Sequence, residues 1–154
     1  MVVTIFLDFD GVLHPTWAKS DRLFEKAGLL DQVIVSCPRI EFVVSSSWAA
    51  YKDHEQILRN FQAYPALQRL VVGQTQQVKR PAMDFGGLPE RETQCRNWLH
   101  ENGRHQERWL AIEDEAACFK TTDNVIKTDG NVGLTSVNIE ALKTKILALS
   151  ELTR

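Results

Sequence analysis

The sequence predicts the α/β class, a layer of mostly parallel sheet with helices covering both of its faces. Three observations predict it. Short apolar runs of strand length recur at residues 2–7, 42–44, 70–72 and 109–112. Segments with helical spacing of apolar residues follow them in alternation. Three of the runs end in Asp, Ser or Glu instead of a hairpin turn. Strands alternating with helices at this spacing imply parallel pairing, and so a single Rossmann-like three-layer domain over residues 1–154.

The first strand, residues 2–7, reads as fully buried and stops at Asp8-Phe9-Asp10-Gly11. Residues 14–28, with Pro15, Trp17 and mixed charge, read as a loop or flap. A short helix over 29–37 would bury Leu30, Val33, Ile34 and Cys37, and Pro38 would end it. Phe42-Val43-Val44 forms the second strand and runs into Ser45-Ser46-Ser47-Trp48. Ile57, Leu58 and Phe61 share one face of a helix over 51–62, and the third strand is 70–73. Residues 74–88 are a polar loop without a readable pattern. The next helix opens with Pro89 at its first position, buries Cys95, Trp98 and Leu99, and stops at Asn102-Gly103. Residues 109–112 form the fourth strand and lead into Glu113-Asp114-Glu115. A fifth strand is expected over 124–127, then a last helix with Ile139, Leu142, Ile146 and Leu149 as its apolar stripe.

The 154 residues are 44% hydrophobic and 25% charged, which suits one globular domain. A net charge of −2 excludes an overall basic field for nucleic acid, although a local basic patch stays open. No apolar stretch is long enough to span a bilayer. The N-terminus lacks the basic start and cleavage site of a signal peptide. Cys37, Cys95 and Cys118 are widely spaced and odd in number, so they are expected to be reduced packing thiols of a cytoplasmic protein.

Two acids one residue apart at a strand end are costly for packing and well placed for chemistry, because parallel sheets bind ligands beyond the carboxyl ends of their strands. A hairpin would need an alternating strand on each side, and the flanks here do not alternate. A calcium loop of the EF-hand type would need Glu six residues after Gly11, where the chain has Trp17. The other strand ends carry Ser45 and Ser46, then Glu113 and Asp114, and Arg91 opens a helix. A cation in a first helical turn opposes the helix dipole by about 0.3–1 kcal/mol unless an anion is near it. Lys79 and Arg80 in the long loop compete with Arg91 for an anion-binding role. One serine can also cap a helix, and Trp48 is expected to pack. The histidines show no metal-cage spacing, and His14 is expected on the surface or in the core more than at a substrate.

These motifs resemble the haloacid dehalogenase (HAD) superfamily. The resemblance rests on Asp8-Phe9-Asp10-Gly11-Val12-Leu13, on Val43-Val44-Ser45, on a lone cation, and on an acidic pair after a later strand. Phe6 to Pro15, Ser45 to Trp48 and Gly133-Leu134-Thr135 look like the small HAD domains grouped with RNA-repair proteins. The resemblance implies a HAD-like fold without a large cap domain, and a magnesium-dependent phosphatase. Asp8 is then the nucleophile that forms an aspartyl-phosphate, and Asp10 the proton donor and acceptor. Ser45, backbone N–H groups around Ser46, and Arg91 would bind the phosphoryl group. Asp8, Asp10 (through its carbonyl), Asp114 and Glu113 would hold Mg²⁺. Glu113 departs from the expected Asp-Asp pair, so Asp114 is the better direct ligand.

The segments where a cap is usually inserted are short, so the site would be open and suited to a phosphate on a bulky substrate such as a nucleic-acid end. The Glu113 departure keeps a second reading open, a phosphate-binding or interaction module with weak or no turnover. A receiver-like signalling domain would need its Asp at a later strand end, and the third strand ends in Gly73-Gln74-Thr75.

Overall fold

The computed structural model describes residues 1–77 and 87–152. Five strands, β1 (Val3–Leu7), β2 (Ile40–Val44), β3 (Val71–Gln74), β4 (Trp109–Glu113) and β5 (Val125–Lys127), form one sheet. Its order is β3-β2-β1-β4-β5, and every neighbouring pair is parallel. The expectation of a mostly parallel sheet is therefore met in full, with the Rossmann-type order in which β1 is central.

Alternation along the strands explains the three layers. Ile5 and Leu7 of β1, Phe42 and Val44 of β2, and Leu110 and Ile112 of β4 belong to one buried cluster. The helices α1 (Asp31–Ser36), α2 (His54–Arg59), α3 (Pro65–Leu70) and α5 (Ser136–Glu151) add Val33, Ile57, Leu67 and Ile139 to it. Phe6, Val43, Trp109 and Ala111 point the other way and meet Cys95, Trp98 and Leu99 of α4 (Glu90–Glu101). Burial of both faces is why these strands read as continuous apolar runs and not as alternating ones.

Several boundaries differ from the sequence reading, each for a local reason. The helix expected over 51–62 is only α2, because Asp53 forms a capping box with Gln56 and starts the helix there. A separate helix, α3, begins at Pro65 and takes Leu70 from the expected third strand. Pro89 caps α4 from outside with extended ψ of 152°, so the helix starts one residue later. Pro38 does not end α1, which already stops at Ser36. Thr135 and Asn138 cap α5 reciprocally. Among the described residues, the stretches between β1 and β2 and between β2 and β3 hold only short helices and turns.

Glu92 shows how α4 is tied down. It is fully buried and accepts hydrogen bonds from the backbone N–H groups of Lys120 and Thr121 at 2.9 and 2.8 Å. Arg96 Nε and the Thr121 hydroxyl donate to its other oxygen at 3.0 and 2.9 Å. Burial pushes this carboxyl up, but the donors outweigh it and hold it below its usual range. Replacing Glu92 with Ala strands those donors and is expected to cost about 1–3 kcal/mol in denaturant unfolding. A loss below about 0.5 kcal/mol, the range of ordinary surface changes, would contradict this account.

Candidate active site

Register brings the strand ends together. Leu7 pairs with Val44 and with Ile112, so Asp8, Ser45 and Glu113 stand side by side at the carboxyl edge. Asp8 N–H donates to Ile112 O at 3.3 Å, and Ser45 N–H donates to Leu7 O at 2.8 Å. The junction of β1 and β4 is where the strand order reverses, the place where open α/β sheets bind ligands.

Asp8, Glu113 and Asp114 each bring a carboxylate oxygen within 4.8 Å of the others. Asp8 Oδ1 accepts the Phe9 N–H at 2.8 Å, which fixes its rotamer. Glu113 Oε1 accepts the N–H groups of Asp114 and Glu115, both at 3.2 Å. Asp114 reaches the cluster through two glycines. Gly11 has φ of +79°, and a Cβ there would collide with the Asp114 carboxylate. A Cβ on Gly130 would lie 2.7 Å from Asp114 Oδ2.

Arg91 projects into the same place from the first turn of α4. Its Nη1 donates to the Ser45 carbonyl and lies 3.7 Å from both Asp8 Oδ1 and Glu113 Oε2. The two carboxylates offset the unfavourable helix-dipole position. Glu92 bonds Arg96 instead, and no ion pair to Arg91 from Glu90 or Glu92 is present. Lys79 and Arg80 lie outside the described residues.

Among the described residues, one cation faces three acids, which leaves a negative excess in a buried place. Burial pushes the Asp8 carboxyl up despite the hydrogen bond with Glu113 and the Arg91 charge. Burial and the neighbouring Asp8 charge push Glu113 up to about 10. Two buried carboxylates this close repel one another, and a proton or a bound cation relieves that repulsion. Clustered hard oxygen donors with excess charge fit a divalent ion such as Mg²⁺.

A measurable pH dependence follows. A carboxyl whose folded pKa lies above its unfolded value holds more protons when folded, so stability falls as pH rises between the two. For Glu113 that window runs from about 4.5 to about 10. With chelator present, thermal unfolding is expected at higher temperature at pH 5.5 than at pH 8, and Mg²⁺ should stabilise more at pH 8 because protons compete for the ligands. A metal-free melting temperature that rises over this range would overturn the reading.

The Asp10 carboxylate stands outside the acidic cluster. Its Oδ1 bonds His14 Nε2 at 2.8 Å, and its Oδ2 accepts the Trp48 indole N–H at 3.1 Å. His14 is buried, and neither residue's link to Asp10 is evident in the sequence. The only trace is the four-residue spacing of Asp10 and His14 across Gly11. The Ser45 hydroxyl is buried against the Cys95 thiol at 3.4 Å. The Ser46 hydroxyl accepts the Trp48 N–H and caps the turn Ser47–Ala50. Cys95 is a packing thiol, pushed up to about 12 by burial. A cavity of about 320 Å³ opens beside Arg91, lined among others by Ser46, Thr75, Gln94 and Cys118.

A parallel five-stranded sheet of this order, with three acids, a serine and an arginine at its central strand ends, defines an α/β domain of the haloacid dehalogenase kind. The profile described as "HAD domain in Swiss Army Knife RNA repair proteins" matches residues 4–139, and the chain belongs to that family. No curated protein and no solved structure matches it. Among the described residues, no helix is long and apolar enough to cross a membrane.

Proposed function

We infer that the chain is a Mg²⁺-dependent phosphohydrolase acting on an exposed phosphate of a bulky substrate, such as a nucleic-acid end. The observation that carries this reading is the meeting of Asp8, Glu113 and Asp114 with Arg91 at the sheet edge. Membership of a family described from RNA-repair proteins supports the substrate class.

Asp8, Glu113 and Asp114 are the residues that would hold the metal, with the Asp10 carbonyl as a further donor. When bound, Mg²⁺ neutralises the phosphate charge that otherwise repels a carboxylate nucleophile. Asp8 attacks phosphorus, and the bond to the leaving oxygen breaks as Asp10 gives that oxygen a proton. A water then attacks the aspartyl-phosphate, Asp10 takes its proton, and inorganic phosphate leaves with Asp8 restored. Arg91, the Ser45 hydroxyl and the backbone N–H groups around Ser46 hold the phosphoryl oxygens. The cavity beside Arg91 takes part of the leaving group.

Glu113 favours a second reading in which phosphate is bound without turnover, because its Oε1 is already held by two backbone N–H groups. A screen of a 3′-phosphorylated oligonucleotide, nucleotides and sugar phosphates, with and without chelator, separates the two. Metal-dependent release of phosphate, fastest from the oligonucleotide, is the expected result. Preference for a small sugar phosphate would defeat the substrate assignment, and no release from any of them would favour the binding module.

A further inference from the structure

We propose that His14 is the positioning residue for Asp10, its Nε2–H aimed at the Asp10 carboxylate by the bond that its Nδ1 accepts from the backbone of Phe24. The proposal rests on the proton-transfer role inferred for Asp10.

The tautomer follows from the partners. Phe24 N–H points at His14 Nδ1 at 3.1 Å, and an amide N–H can only donate. Nδ1 is therefore an acceptor without a proton. The ring proton sits on Nε2 and is donated to Asp10 Oδ1 at 2.8 Å. The other tautomer, with its hydrogen on Nδ1, would lose the Phe24 bond in a place where His14 is 1% exposed. From the other side, the Trp48 indole N–H, which has no acceptor character, donates to Asp10 Oδ2 at 3.1 Å.

The donor of the first bond is itself held in an unusual way. Phe24 is the one described residue other than glycine with positive φ, 62°, in a region aromatic side chains rarely adopt. Its ring packs edge-on against Phe9, His14, Trp48 and Phe61, with centroids 5.1–5.7 Å apart. Tyr64 Oη donates to the Phe24 carbonyl at 3.0 Å. Strained backbone persists only where its surroundings over-determine it, and here it aims one N–H at an imidazole. The Asp10 side chain is 41% exposed, so without these two tethers it would sample several rotamers. The flap between β1 and α1 thus reaches the acid–base group through Phe24 and His14.

A leaving-group comparison tests this. A good aryl leaving group departs without a proton, whereas an alkoxide needs one, and a positioned proton donor contributes roughly 10²–10⁴-fold. kcat/KM, which reports the step up to phosphoryl transfer to Asp8, is measured with 4-nitrophenyl phosphate and with a 3′-phosphorylated oligonucleotide. His14→Leu is expected to lower kcat/KM for the oligonucleotide by at least about 10²-fold and for the aryl phosphate by under about 5-fold. His14→Gln, which offers both an acceptor and a donor, should restore most of the loss, and Trp48→Phe should reproduce part of it.

Equal losses on both substrates would overturn the positioning role. Asp10→Asn separates the two levels of inference. If it shows no leaving-group dependence, the proton-transfer reading of Asp10 fails and the proposal falls with it. If it shows the dependence and His14→Leu does not, the proposal alone fails. Nitrogen-15 NMR of the wild-type imidazole decides the geometry even if His14→Leu does not fold. The Nε2–H tautomer is expected, and an Nδ1–H tautomer would refute it.

Discussion

Asp8→Asn is expected to abolish turnover while leaving the fold intact. Loss of a covalent nucleophile lowers kcat by on the order of 10⁴-fold or more. The side-chain oxygen of Asn can still accept the Phe9 N–H, so the local turn keeps its 2.8 Å tether. The substitution also removes one charge from a crowded acidic cluster, in which burial already disfavours the ionised form. The melting temperature should therefore stay level or rise. Circular dichroism with a continuous assay on 4-nitrophenyl phosphate checks both parts. Retention of a tenth of the wild-type rate would rule out Asp8 as the nucleophile. Equal background rates in both forms, with phosphate still bound, would instead favour the module without turnover.

The largest effect on stability is expected at Phe9, the residue between the two acids. Its ring is fully buried and lies edge-on to Phe24, Trp48 and Phe61 at 5.1, 5.5 and 5.7 Å. Phe9→Ala removes the ring and leaves a cavity that three neighbouring rings cannot fill without leaving their rotamers. A cost of about 3–5 kcal/mol is expected. For a chain of this length that amounts to a fall of roughly 10 °C in melting temperature. Val35→Ala, at a side chain 85% exposed, should cost almost nothing and serves as the control. A loss below about 1.5 kcal/mol at Phe9 would mean that the pocket relaxes and that the aromatic group is not a rigid support. The same substitution loosens Phe24 and Trp48, so activity should fall further than the folded fraction explains.

Much of this arrangement can be read from the chain. Apolar runs buried on both faces announce a parallel sheet, and the four main runs correspond to β1, β2, β3 and β4 within two residues at each end. The chemistry at their ends is legible because acids and serines have no packing reason to follow such runs. Arg91 is one of three candidate cations in the sequence, and its place between Asp8 and Glu113 depends on how α4 packs. Helix limits are less legible in the chain. Local caps such as Asp53 with Gln56 cut α2 short, and α3 has too few residues for a periodic signal.

Apolar patterning along the chain is enough to specify the sheet, its parallel sense, and the set of residue types delivered to one edge. Each depends on hydrophobic burial and strand-end chemistry, which are local patterns along the chain. Tertiary packing sets which side chains touch. It separated the Asp10 carboxylate from the other three acids, gave Asp10 to His14 and Trp48, and passed Asp114 beside Gly11 and Gly130. Those pairings join residues up to 103 positions apart in the chain, as between Gly11 and Asp114. No local pattern encodes them, because they arise when packed layers fix distances that the unfolded chain leaves free.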